Sequence, residues 1–281
     1  MPVLPSIPYI GGKCRVAAQI GGVLRSTGAE LLVDVFGGSG SVTMRAGFEK
    51  RVYNDAAGDL VNLFRVLADR RRRVEFLRLA QWLPTSRRLF DGWRREYVRG
   101  GLSLETIADP VERAVAMLYL CMHSFGGKVR SGGFPVSTGE RIHVKEVCRW
   151  RSFLRQLVAF SEFWRDTVIE CLPFDDLISL YGWRDGAVLY CDPPYFGTED
   201  YYSRRFSRAD HVFLAHLLLE VPAAAAVSYY DCPEVRDLYP VKSWDYVEFR
   251  ATRNTANRFS GHQKPVETEL LLVKRSEVPR A

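Results

Sequence analysis

The amino-acid sequence predicts an α/β protein: a doubly wound, mostly parallel sheet interrupted by a mostly helical insertion that carries a β-hairpin. Three observations predict it. A βαβα passage occupies residues 30–67, helical spacing without strand signals fills residues 68–165, and strand–helix alternation resumes near residue 167. A chain of 281 residues has room for one large domain with such an insertion. The expected core is residues 1–67 and 166–281, and the expected insertion is residues 68–165.

Each element has its own signal. Glu30 to Phe36 is a short apolar run that stops at Gly37-Gly38-Ser39-Gly40, which reads as a buried strand entering a tight turn. Ser41 to Phe48 reads as a helix, Arg51 to Asp55 as a second strand, and Asp59 to Leu67 carries helical spacing. Helical patterns follow over 74–99, 105–123 and 144–164. Between the last two lies Ser124 to Phe134, Gly-rich, basic and aromatic, suited to a hairpin or an exposed loop. Thr167 to Cys171 and Ala187 to Cys191 read as strands, with a helix from Phe174 to Tyr181 between them. Ser207 and Asp210 have the spacing of a capping box opening a helix to about Glu220. Ala223–Tyr229, Tyr246–Arg250 and Thr268–Lys274 complete the strands, the last two as an antiparallel end.

Composition narrows the class. The chain is 47% hydrophobic and 26% charged, an ordinary globular balance that excludes a disordered or coiled-coil architecture. No apolar run approaches the roughly 20 residues a membrane helix needs. Met1 to Pro5 has no basic or apolar leader region, so no signal peptide is expected. Six scattered cysteines with no Cys-x-x-Cys pair argue against zinc and disulfides and suit a cytoplasmic location. No metal-ligand set is evident. Residues 65–99 hold eleven Arg and four acidic residues, so this block, Arg87 and Arg88 included, is either a phosphate-contacting surface or a solvated helix face. Asn254 to Lys264 is either a loop near nucleic acid or a plain surface loop.

Two strings carry chemistry. Asp192-Pro193-Pro194-Tyr195 follows a buried strand, and its prolines remove two N–H donors and hold the backbone extended. A carboxylate, a free carbonyl and an aromatic ring then meet at a strand's carboxyl end, where α/β sheets bind ligands. The set suits an exocyclic amine, with Asp192 and the Pro193 carbonyl accepting its two N–H bonds and Tyr195 stacking on the base. Asp34-Val35-Phe36-Gly37-Gly38-Ser39-Gly40 is a Gly-rich turn after the first strand, fit for a nucleotide-like ligand but neither Gly-x-Gly-x-x-Gly nor a Walker loop. Asp55 ends the second strand, where an acid commonly takes ribose hydroxyls.

In order along the chain, Tyr9-Ile10-Gly11-Gly12-Lys13, the Asp34 loop, Asn54-Asp55 with Asp59-Leu60 and Asn62, Phe125-x-Gly127-x-x-Arg130 with Phe134, and Asp192 to Tyr195 resemble the Dam-type DNA adenine N6-methyltransferases. The resemblance implies a Rossmann-like methyltransferase sheet and S-adenosylmethionine as methyl donor. It implies a cofactor site of Tyr9, Lys13, Asp34, Phe36, Gly38, Gly40, Asp55, Phe174 and Asp192. It implies catalysis at Asp192, Pro193, Pro194 and Tyr195, with base flipping. It implies an insertion that reads DNA through Phe125, Lys128 and Arg130. Double-stranded DNA is the implied partner, with a cognate restriction endonuclease as a second candidate. The chain departs from the family pattern at Tyr9, where Trp is common, and at Val35, where Pro is usual. Phe125 to Val129 also differs from the run of GATC-reading members, so a GATC target is not implied.

Other readings remain open at this level: cytosine-N4 or RNA adenine-N6 methylation, a non-catalytic DNA-binding subunit, and a dinucleotide-dependent oxidoreductase. Asp before Pro193 favours adenine. The absence of the third glycine disfavours the oxidoreductase.

Overall fold

The structure is a computed structural model that describes residues 4–134, 144–197, 206–252 and 266–274. One sheet contains β1 (Leu31–Asp34), β2 (Lys50–Asn54), β3 (Val168–Glu170), β4 (Ala187–Cys191), β5 (Ala224–Tyr230), β6 (Asp245–Thr252) and β7 (Val266–Lys274). Their order is β3-β2-β1-β4-β5-β7-β6. The first five are parallel, and β7 runs antiparallel to both β5 and β6. The sheet is the Rossmann-like arrangement expected from the sequence. From β1 the chain winds outward through β2 and β3, then returns to β4 on the other side of β1. That reversal opens a crevice at the carboxyl ends of β1 and β4. Asp34 closes β1 and Asp192 follows β4 directly, so topology alone brings them to one edge.

The core helices are α1 (Ala17–Ser26), α2 (Ser41–Arg45), α3 (Gly58–Ala68), α9 (Phe174–Tyr181), α10 (Arg208–Glu220) and α11 (Pro233–Leu238). Between β2 and β3 the helices α4 (Arg70–Ala80), α5 (Arg87–Arg99), α6 (Pro110–His123), α7 (Val144–Arg155) and α8 (Leu157–Arg165) follow α3. The helical pattern over 74–99 therefore belongs to two helices, separated at Pro84, which cannot continue a helix. Helix α1 escaped prediction because Gly21 and Gly22 weaken its signal. Gly21 lies so close to the Ala46 backbone that a Cβ there would sit 2.3 Å from its Cα. The capping box of Ser207 and Asp210 is present at the start of α10.

The helical segment is not a separate body. Helix α6 is buried on all sides from Ala114 to His123, the mark of a central helix. It packs in one apolar cluster with Tyr53, Leu60, Phe64 and Trp164. Asp59 of α3 accepts the Leu104 N–H at 2.8 Å, and Asn62 donates to the Pro110 carbonyl at 2.9 Å. A boundary at residues 67/68 thus cuts through the end of a shared helix.

The expected hairpin takes another form over its described part. Phe125–Gly127 is a 3₁₀ turn, with Gly126 and Gly127 at φ 66° and 71°. The Phe125 N–H reaches the Gly133 carbonyl at 3.1 Å, closing a compact loop. Paired left-handed glycines bend the chain too sharply for a strand to start there. Residues 135–143 and the stretch Asn254–Lys264 lie outside the described residues.

Lys274 at the end of β7 is buried, and its ammonium donates to the carbonyls of Leu218, Leu219 and Val221 at 2.7, 3.1 and 2.8 Å. These are orphan carbonyls of the α10 C-terminus, where the helix dipole also favours a cation. Lys274→Met leaves them buried without that donor, and should lower unfolding free energy by roughly 2–4 kcal/mol, read from the urea midpoint.

Candidate active site

A cleft of about 1210 Å³, its open mouth included, lies over the carboxyl ends of β1, β2 and β4. Tyr9, Lys13, Asp34, Phe36, Gly38, Asp55, Phe174, Asp192 and Pro194 line it together. Among the sequence candidates Gly40, Pro193 and Tyr195 do not line it, nor do Arg87, Arg88, Phe125, Lys128 and Arg130.

The floor is the glycine turn. Gly38 and Gly40 adopt φ 50° and 67°, a left-handed region that favours glycine. A Cβ on Gly40 would come within 2.5 Å of the Trp164 ring, and one on Gly37 within 2.2 Å of the Tyr53 ring. Both walls are aromatic, so positions 37 and 40 have no room for a side chain. Asp55 holds the turn from the next strand: one carboxylate oxygen accepts the Gly38 N–H at 2.7 Å and the other the Ala57 N–H at 2.7 Å. Asn54 beside it is buried, donating to the carbonyls of Val35 (2.9 Å) and Leu172 (3.1 Å) and accepting the Leu172 N–H (2.8 Å). This amide fixes the turn that presents Phe174.

Phe174 stacks on Phe36 with centroids 5.8 Å apart, and Phe206 closes the group at 5.7 Å from Phe36 and 5.5 Å from Phe174. Three rings thus make an apolar slot at one end of the cleft. The other end is charged. Asp34 is 1% exposed, and its Oδ2 accepts from Thr43 Oγ1 at 2.5 Å and Thr43 N–H at 3.2 Å. Among the described residues its Oδ1 and Asp192 Oδ1 are buried without a hydrogen-bond partner. Burial first, then the Asp192 and Asp55 charges, pushes the Asp34 carboxyl up to about 7, opposed by the Thr43 bonds.

Asp192 Oδ2 meets the Lys13 ammonium at 2.7 Å. Burial raises its carboxyl above the ordinary range, Lys13 counteracts, and Glu269 adds to the rise. Lys13 also lies 3.2 Å from Glu269 Oε1 and 4.9 Å above the Tyr195 ring. The Tyr195 hydroxyl donates to Glu269 Oε1 at 2.6 Å, and its ring meets Tyr230 edge-on at 4.7 Å. Tyr195 is therefore a buried wall rather than an open stacking platform. On its far side a second hollow is lined by Tyr195, Phe196, Tyr229, Tyr230 and Thr268.

A family model of D12 class N6 adenine-specific DNA methyltransferases matches residues 9–253. The chain belongs to this family. It is 28% identical over 269 residues to the DNA adenine methylase of Serratia marcescens, covering 90% of this chain and 93% of that protein. It is 25% identical over 292 residues to the DNA adenine methylase of Escherichia coli strain K12, covering 98% and 97%. Against the DNA N-6-adenine-methyltransferase of Escherichia phage P1 it is 27% identical over 82% of this chain and 30% of that protein. No helix among the described residues of this adenine methyltransferase is long and apolar enough to cross a membrane.

The insertion's candidate residues gather elsewhere. Phe125 is 58% exposed, and Arg130 is exposed on the same loop. Arg94 donates to the Arg130 carbonyl at 3.0 Å, and Arg87 lies 5.1 Å over the Phe134 ring. Arg87 and Arg88 are both exposed, and Arg87 covers one face of the loop. Phe206, which lines the cleft, and Glu269, which touches Lys13 and Tyr195 beside it, escaped sequence reading. Phe206 precedes the capping box and has no motif. Glu269 had a signal: it is an acid entering the otherwise apolar run Leu270–Val273.

Asp34 yields a prediction with a definite sign. Folding disfavours its ionised form, so its cost is absent below the ordinary value of 3.8, grows with pH, and is complete above about 7. Asp34→Asn should stabilise the ligand-free protein at pH 8 by about 1–4 kcal/mol and leave it unchanged at pH 4, measured by denaturant unfolding at both values.

Proposed function

We propose that this methyltransferase moves a methyl group from S-adenosylmethionine to N6 of adenine in double-stranded DNA, at sites selected by residues 68–165. The observation that carries the reading is one cleft joining an aromatic slot, a glycine turn and two buried carboxylate oxygens without hydrogen-bond partners among the described residues to the Asp-Pro-Pro-Tyr string.

The residues present fit that cofactor. The slot of Phe36, Phe174 and Phe206 suits a purine. Asp55, at the end of β2, stands where ribose hydroxyls are commonly taken. The bare backbone of Gly38 allows close approach of an amino-acid end. Asp34 Oδ1 and Asp192 Oδ1 suit its cationic groups. Bound there, S-adenosylmethionine supplies a methyl group on a positively charged sulfur.

The chain's own task is to present the amine. An adenine N6 lone pair is delocalised into the ring and weakly nucleophilic. Asp192 and the Pro193 carbonyl accept the two N–H bonds and localise that pair on nitrogen. With the cofactor bound, N6 would form the N–C bond as the carbon–sulfur bond broke toward sulfur, and N6 would carry the positive charge. One proton then leaves N6, and Asp192 is placed to take it. Alignment supplies most of the rate in such a displacement. The base reaches the site only when flipped from the duplex, and Tyr195 walls the space it enters. In the insertion, Phe125, Lys128 and Arg130 read base edges, while Arg88 and neighbouring exposed arginines hold phosphates.

The deciding experiment incubates the protein with methyl-labelled S-adenosylmethionine and natural duplex DNA, digests to nucleosides, and identifies the labelled base. N6-methyladenine is expected, and label only on cytosine N4 overturns the reading. Asp192→Ala should abolish transfer while leaving the fold and most DNA affinity intact; near-normal turnover would remove Asp192 from the mechanism.

Arg130→Ala should cost roughly 1–3 kcal/mol on the methylated site and relax selection at one base pair. Arg88→Ala should instead weaken all DNA about equally and flatten the salt dependence. Binding isotherms on methylated-site and unrelated duplexes at two salt concentrations separate the two.

A further inference from the structure

Around Asp192 one charged group has no task in the reaction above. Glu269 sits in β7 opposite Tyr230 of β5 and is 6% exposed. The residues after it, Leu270 to Val273, are all buried and apolar. A carboxylate in such a strand costs desolvation that a leucine would not. What it gains is local. Its Oε1 faces the Lys13 ammonium at 3.2 Å and accepts the Tyr195 hydroxyl at 2.6 Å. The same ammonium is 2.7 Å from Asp192 Oδ2. Lys13 therefore stands between two carboxylates, closer to the one that the amine has to use.

We propose that Glu269 is a positioning residue that retains Lys13 when the target amine takes over Asp192. The proposal rests on the reading of Asp192 as acceptor for that amine. Two physical conflicts require such a device. With Asp192 Oδ1 turned to the cofactor's cationic groups, the amine is left with Oδ2, which the ammonium occupies. That ammonium also sets a cation beside a nitrogen on which positive charge develops, which a low-dielectric pocket punishes more than water does. Besides Asp192, Lys13 reaches the Gly11 carbonyl at 3.3 Å, a neutral acceptor that does not replace a carboxylate for a side chain only 10% exposed. Glu269 offers it a second anionic partner in the same pocket. Tyr195, bonded to that same Oε1, orients the carboxylate and presents its ring face to the ammonium at 4.9 Å. Without the Glu269 charge, Lys13 stays on Asp192 and competes with substrate.

Glu269→Gln tests this, because it keeps the shape and an acceptor for Tyr195 but removes the charge. Single-turnover methyl transfer at saturating S-adenosylmethionine should fall roughly tenfold or more, with binding of S-adenosylmethionine nearly unchanged. In a Lys13→Met background the same change should cost less than about twofold, since no ammonium is left to trap. Equal losses in both backgrounds overturn the proposal. A second readout needs no turnover. In the ligand-free protein Glu269→Gln should lower the unfolding midpoint when Lys13 is present. In Lys13→Met it should raise the midpoint, because Asp192 and Glu269 then face each other with no cation between them. Equal midpoint shifts in the two backgrounds also overturn the proposal. Failure of the underlying reading is a different result: the unsubstituted protein would place no methyl group on adenine.

Discussion

Three parallel strands end side by side, and each delivers a carboxylate to the same edge: Asp34 from β1, Asp55 after β2 and Asp192 after β4. Much of the local structure answers that concentration of negative charge. Each carboxylate has its own compensation. Asp34 is met by Thr43 in the first turn of α2, where the helix dipole also favours an anion. Asp55 is met by two backbone N–H groups, one of which belongs to the glycine turn. Asp192 is met by a lysine from the chain's first strandless segment. Among the described residues the compensation is incomplete at Asp34 and Asp192, each of which keeps a buried oxygen without a hydrogen bond.

The glycine turn and the helical segment solve one packing problem together. The Tyr53 hydroxyl donates to the Gly38 carbonyl at 2.8 Å, and its ring meets Trp164 of α8 edge-on at 5.1 Å. Trp164 stacks on Phe64 of α3 at 3.9 Å and fills the space a Gly40 side chain would need. The cleft floor is thus held from behind by the last helix of the insertion. Removing residues 68–165 would expose Phe64 and Tyr53 and leave the turn unsupported. This is why α3 reads in sequence as the end of the sheet domain yet packs in space as the first helix of the bundle.

The sheet was legible because buried parallel strands leave short apolar runs that end at glycine or acidic residues, as at Val33-Asp34 and Tyr190-Cys191-Asp192. The cleft was legible because its polar residues sit next to those strand ends. What escaped has no local pattern. Helix α1 is specified by the fit of Gly21 against Ala46, a contact between residues 25 positions apart. The glycines of residues 126–133 signal a reversal but do not distinguish a hairpin from a closed 3₁₀ loop. Tyr195 reads as a stacking ring from its motif, but its burial depends on Glu269, which lies 74 residues away. Phe206 enters the aromatic slot through a tertiary contact that no spacing rule foretells. The misses share one cause: pairings between distant segments are decided by side-chain packing that sequence patterns do not contain.

The segment from Ile7 to Lys13 shows what such distant pairings accomplish. It has no regular secondary structure beyond a turn, yet it touches the helical bundle, the Gly127 loop and the cleft. Ile7 is buried in the core of the helical bundle. The backbone of Pro8 and Tyr9 abuts Gly127 so tightly that a Cβ there would lie 2.6 Å from the Tyr9 nitrogen. The Tyr9 ring lies beside Gly38 in the cleft, and Lys13 ends the segment on Asp192. A loop proposed to read DNA is therefore in contact, through six consecutive residues, with the carboxylate proposed to receive the amine. Because the Gly127 contact is backbone on backbone, no side-chain rearrangement absorbs a displacement of the loop. The Lys13 ammonium, by contrast, ends a long side chain that meets Asp192, Glu269 and the Tyr195 ring, which is the exchange of partners proposed above.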